Sequence, residues 1–199
     1  MSNAGLFAAF VVFAIATLFT PGPNNIMLMS SGVNFGFRRT LPHVLGVDVG
    51  FSFMVLMVGL GLGAFFAAVP QVYAVLRYGA AAYLLYLAWR IANAGRVEEE
   101  EGGRPFSFLQ AVAFQWINPK GWIMAVGAVT TYAAVAVYPF NILMVAAVFL
   151  AFGLVSSLTW LLFGTALRRL VTDPTRVRIF NVSMALLLAL SLVPVFLEG

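Results

Sequence analysis

The chain has no cysteine, a single histidine, and charge on only 9% of its 199 residues. Without cysteine there is no disulfide framework, no thiolate metal site and no dithiol relay, which sets aside a thiol-linked electron carrier. His43 and Asp48 are the only candidate metal ligands among the apolar segments, which disfavours a metal-ion exporter. Polar surface is equally scarce, and a soluble domain of this size needs far more. In its place, 62% of the residues are hydrophobic and gather in stretches of membrane-spanning length. The expected class is an all-α membrane protein. A closed β-barrel fits poorly, because its strands need alternating polarity and these segments are apolar all round.

Arginines and prolines divide the chain into six expected helices, roughly 4–35, 41–68, 71–93, 106–134, 140–167 and 178–196. The N-terminus has no basic leader segment, so the first stretch is expected to remain as a helix. A hydrophilic loop, "AGRVEEEEGGRP" (94–105), separates the third helix from the fourth. Its four glutamates, Glu98 to Glu101, read as solvated charge. The pI near 9.9 does not signal a nucleic-acid partner, since the arginines are scattered between apolar segments. They report topology instead. Arg38, Arg39, Arg90, Arg96, Arg104, Arg168, Arg169, Arg176 and Arg178 follow odd-numbered helices, against Arg77 alone on the other side. The arginine-rich side is therefore expected in the cytoplasm, with both termini outside.

Two of the six helices are interrupted in their middles. "TPGPNN" (Thr20, Pro21, Gly22, Pro23, Asn24, Asn25) breaks the first, and "QWINPKGW" (115–122) breaks the fourth. Pro21 and Pro119 lie 98 residues apart, and Arg77 and Arg178, each opening a later helix, lie 101 apart. A three-helix unit repeated once must enter the membrane from opposite sides. The expected plan is one transmembrane domain, 1–199, with inverted repeats over about 4–93 and 106–197.

Proline lacks an N–H, so these breaks are expected to free the carbonyls of Thr17, Phe19 and Gln115. Unpaired backbone survives in hydrocarbon only where protein or water covers it, and a matched pair of breaks reads as a binding site. Asn118 suits an N-cap and Pro119 a first helical position, so a half-helix should start there at membrane depth. Its free N–H groups, with Lys120 beside them, favour a carboxylate. Thr20 or Gly22 is expected to cap a half-helix starting near Pro23. Asp48 falls about 13 Å along the second helix, near the bilayer centre, where a charge is costly and marks function by default. Two roles stand open: a structural bridge to Lys120, or carriage of a proton or substrate ammonium. Trp116 and Trp122 flank the second break and are expected to wall a cavity. The spacing Gly46-x-x-x-Gly50, with Gly59 and Gly63, reads as close helix packing or a homodimer face. His43 is expected at the interface. An intramembrane enzyme would need a base at the depth of Ser52, Ser156 or Ser157, and His43 is placed too near the surface for that.

"TPGPNN", "GFRRTLPHVLGVDVGF" (36–51), "AAYLLYLAWRI" (81–91) and "FQWINPKGW" (114–122) resemble the LysE/RhtB family of amino-acid exporters over nearly the whole chain. The resemblance implies a bacterial inner-membrane protein that expels amino acids or close derivatives by proton exchange, with no cofactor. "AAYLLYLAWRI" and "FSFLQAVAFQWIN" (106–118) look most like the cysteine/O-acetylserine exporter branch. The substrate carboxylate is expected at Asn118 and Lys120, and its ammonium at carbonyls near Thr17 and Phe19, at Asn24, or at Asp48.

Overall fold

A computed structural model describes residues 2–62, 68, 70–93, 104–171 and 173–193. Among them every regular element is helical. The helices are α1 (Asn3–Phe19), α2 (Pro23–Phe35), α3 (Phe37–Met57), α4 (Pro70–Ala92), α5 (Phe108–Gln115), α6 (Pro119–Tyr132), α7 (Phe140–Arg168) and α8 (Pro174–Leu190). A π-turn, Val58–Leu62, extends α3, and a short 3-10 turn, Ala133–Val135, follows α6.

Local chemistry sets the ends. Ser2 caps α1 by accepting from the Gly5 N–H at 3.2 Å. Ser107 and Gln110 form a reciprocal capping box at the start of α5. α2, α6 and α8 each carry proline in their first turn, where the missing N–H costs nothing. α4 likewise begins at Pro70 and α8 at Pro174, so neither starts with an arginine. The expected landmarks Arg77 and Arg178 fall inside these helices. α3 starts four residues earlier than expected, at Phe37, because Gly36 makes the turn with φ 78°. A Cβ there would also stand 2.6 Å from the Arg168 guanidinium. Arg38 and Arg39 therefore sit in the first turn of α3. The glutamate run, Arg96, Gly63 and the end of the sixth expected helix lie outside the described residues.

Among the described residues, two helices are long and apolar enough to cross a bilayer, Phe37–Leu62 and Phe140–Arg168. The pair α1 and α2 passes the same test as one span bent by 49°. At 1.5 Å per residue the 29 residues of α7 reach about 43 Å, beyond a ~30 Å hydrocarbon core. Leu45, Val49 and Phe53 of α3, Leu143 and Leu162 of α7, and Leu186 and Leu190 of α8 point outward, exposed.

α2 is unlike the others. Residues 25 to 34 are all buried, so this helix has no outer face. It lies along α7, where Gly32 faces the backbone of Thr165 and Leu161. α3 crosses α5 equally closely. A Cβ on Gly46 would lie 2.7 Å from the Ala111 Cβ, and one on Gly50 would lie 2.7 Å from the Val112 Cα. The glycine face of α3 thus serves packing within the chain. Among the described residues two large apolar cores result, with a smaller third at Leu28, Val44 and Leu161. Phe10, Phe51, Met54, Met124 and Phe149 join α1, α3, α6 and α7. Ile26, Leu84, Phe114 and Leu188 join α2, α4, α5 and α8.

Candidate functional site

The two breaks meet. Asn24, at the start of α2, and Gln115, at the end of α5, exchange amide hydrogen bonds of 2.8 and 3.2 Å. The Lys120 ammonium donates to the carbonyl of Thr20, reaching from the second break to the first. Gly22 makes room for this, since a Cβ there would stand 2.6 Å from Lys120 Cδ.

Each break resolves its own backbone. At the first, Asn25 Nδ2 donates to the carbonyls of Leu18 and Thr20 at 2.9 and 3.0 Å. Ser156 Oγ on α7 also donates to Leu18 O, at 2.9 Å. The carbonyls collected by side chains are therefore those of Leu18 and Thr20, beside the expected pair Thr17 and Phe19. At the second break the Asn118 N–H bonds Gln115 O at 3.2 Å, so Pro119 leaves no orphan there. Gly22 is the N-cap of α2 and Asn118 that of α6, neither with a side-chain capping bond. Asn118 Oδ1 is buried and has no hydrogen-bond partner.

Between the breaks lies a cavity of about 430 Å³, its open mouth included. α1 contributes Thr17 and Leu18, α3 contributes Asp48 and Phe51, and α7 contributes Ser156 and Ser157. Gly22, Asn24, Asn25, Asn118 and Lys120, all expected at a site, line it too. Thr20, Pro21, Pro23 and Pro119 do not line it; they shape the breaks from behind. Trp116 and Trp122 do not line it either. Trp122 Nε1 donates to Trp116 O at 2.9 Å and the rings meet edge-on at 6.1 Å, so the pair braces the second break. The sequence reading missed the role of Ser156 and Ser157. Two adjacent serines midway along the longest apolar helix were the available signal.

Asp48 is 4% exposed. Its Oδ1 accepts from Ser157 Oγ at 3.0 Å, while Oδ2 has no partner. Gly153 leaves room for the carboxyl group, since a Cβ there would be 2.8 Å from Oδ1. With Oδ2 unpartnered and Lys120 bonded to Thr20, the bridge to Lys120, one of the two roles open to Asp48, does not form. Lys120 is the only lysine in the chain. The cavity thus presents a carboxyl group on one wall, and on another an ammonium group beside two helix N-termini whose first N–H groups lack helical acceptors.

His43 is enclosed by protein. It is 1% exposed, with Ser31 Oγ 3.3 Å from Nδ1 and the Phe106 ring 5.3 Å from its own.

Helices able to cross a bilayer, packed around a hollow lined by a lysine and an aspartate, fit the class of integral membrane transporters. Residues 15–195 match the family described as LysE type translocator, and the chain belongs to that family. It is a translocator and not an enzyme. It is 31% identical over 193 residues to the cysteine/O-acetylserine efflux protein of Escherichia coli (strain K12), covering 96% of this chain and 97% of the relative. The protein of the same name from Shigella sonnei (strain Ss046) matches over the same extent. No solved structure matches.

Proposed function

We propose that this chain exports amino acids or close derivatives across the bacterial inner membrane, in exchange for protons. The observation that carries the reading is the central cavity, in which both helix breaks, the one lysine and a buried aspartate converge. A zwitterion complements it. The substrate carboxylate lies at the N-terminus of α6 with Lys120, and the ammonium lies at Asp48 Oδ2 and Asn118 Oδ1, two buried oxygens without partners. Asp48 takes up the proton when the substrate has left. The names of the relatives favour a substrate with a small polar side chain, such as cysteine or O-acetylserine.

Six spans in two inverted repeats, about 4–93 and 106–197 with the loop 94–105 between them, complete the reading. The packing supports it, because like meets like. α3 packs on α7, α4 packs on α8, and the first break meets the second, contacts that a two-fold axis between the repeats accommodates; the α2–α7 contact has no equally extensive counterpart between α6 and α3. Counterflow into proteoliposomes, with a panel of labelled amino acids, tests the function. Uptake of labelled cysteine or O-acetylserine against an unlabelled internal pool is expected. Uptake of no member of the panel would overturn the reading.

A further inference from the structure

A second hollow, of about 510 Å³ with its mouth included, lies toward the other end of α2. α2 supplies Ser31 and Asn34, α3 supplies His43, α4 supplies Arg90, and the segment before α5 supplies Arg104 and Phe106. Ser31 and Asn34 lie some seven to ten residues beyond Asn24, about 10–15 Å along the helix, so this hollow is separate from the central one. Its charge character is different as well. The described lining holds two arginines and no acidic side chain.

Arginines near a membrane surface are ordinarily solvated. Here two exposed guanidinium groups share a concave surface with a buried imidazole. The Ser31 hydroxyl has His43 Nδ1 as its hydrogen-bond partner. In the tautomer in which that hydroxyl donates, the proton of a neutral ring is on Nε2. Nε2 is buried and without a partner. An N–H left unpaired in the interior is costly, and it calls for an acceptor. Two planar, permanently charged forks on the same hollow suit an acceptor that is an oxyanion. Asn34 is not available for this role, since it is tied to Asn181 by amide bonds of 2.9 and 3.2 Å and fixes α2 to α8.

We propose that this second cavity binds the oxyanion group of a small molecule or lipid, a carboxylate or phosphate held by Arg90 and Arg104 with His43 Nε2–H as a third donor. The site stands independently of the central cavity and of the export reading.

The test uses purified full-length Lys120→Ala protein in detergent, so that the cation of the central cavity is absent. Binding of acetate, inorganic phosphate and short-chain phosphatidylglycerol is measured by calorimetry and by thermal stabilisation. At least one probe is expected to bind, and the Arg90→Gln/Arg104→Gln double substitution should weaken it about tenfold or more. Phosphate or acetate binding identifies a soluble anion as the source, and phosphatidylglycerol binding alone identifies a lipid headgroup. Absence of binding by all three probes overturns the proposal, as does equal binding by the double variant. If the double variant does not fold, Arg104→Lys replaces it. That variant keeps the charge but loses the fork, and equal affinity there also counts against the site.

Discussion

At the scale of single residues, Lys120 and Asp48 are the two side chains on which transport should depend most. Lys120→Ala removes a charged donor from the cavity wall, so efflux from cells should fall about tenfold to a hundredfold while the protein still inserts. Unchanged efflux would remove the carboxylate site. Asp48→Asn keeps the size and the Ser157 contact but cannot bind or release a proton. Proteoliposomes with this variant should no longer speed up when a proton gradient is imposed, yet should still exchange substrate at equal pH, with a raised KM because the ammonium has lost its anionic partner. A gradient response like that of the native protein would leave Asp48 with only its bond to Ser157. Much of this was legible in the residues. A lone lysine after Asn-Pro and an aspartate in an apolar run are conspicuous because each is expensive there. What was not legible is which oxygen each group meets. Asn25 closing over Leu18 and Thr20, and Lys120 reaching Thr20 rather than Asp48, depend on how two distant segments approach each other.

At the scale of helices, the Asn24–Gln115 amide pair and the α3–α5 contact join distant parts of the chain. A double-mutant cycle on Asn24→Ala and Gln115→Ala should give a coupling of about 0.6–1.7 kcal/mol, the range for hydrogen bonds between membrane helices. Thermal denaturation in detergent measures it, and simple additivity would mean that the pair contributes nothing to stability. Gly50→Leu should sharply lower the yield of folded protein, because the Val112 backbone leaves no space for a side chain. Gly79→Leu is the control, with nothing within 4 Å of its Cβ, and should fold normally. Size-exclusion profiles compare the two. Proline and glycine made both breaks visible in the sequence, and the N-caps at Gly22 and Asn118 followed from them. The start of α8 falls four residues before the expected 178, because Pro174 and not Arg178 opens the helix, while α4 starts within one residue of the expected 71.

At the scale of the whole molecule, the export reading places both termini outside and the arginine-rich ends in the cytoplasm. With no native cysteine to interfere, single substitutions report this directly. A membrane-impermeant maleimide should label Ser2→Cys in intact cells, and Ser107→Cys only after permeabilisation. The reverse pattern would invert the topology. Helical class and family were legible throughout the chain, since composition and motifs run along its full length. The burial of His43 was not, because sequence position gives depth along a helix but not which side is covered. The lack of an Asp48–Lys120 bridge has a further consequence under the export reading. Each reorientation moves these groups through low dielectric without each other for neutralisation. On the outward stroke the cargo supplies both countercharges. On the return, a proton on the carboxyl group stands in for the departed ammonium, so a vacant carrier that has not been protonated is the slowest species in the cycle.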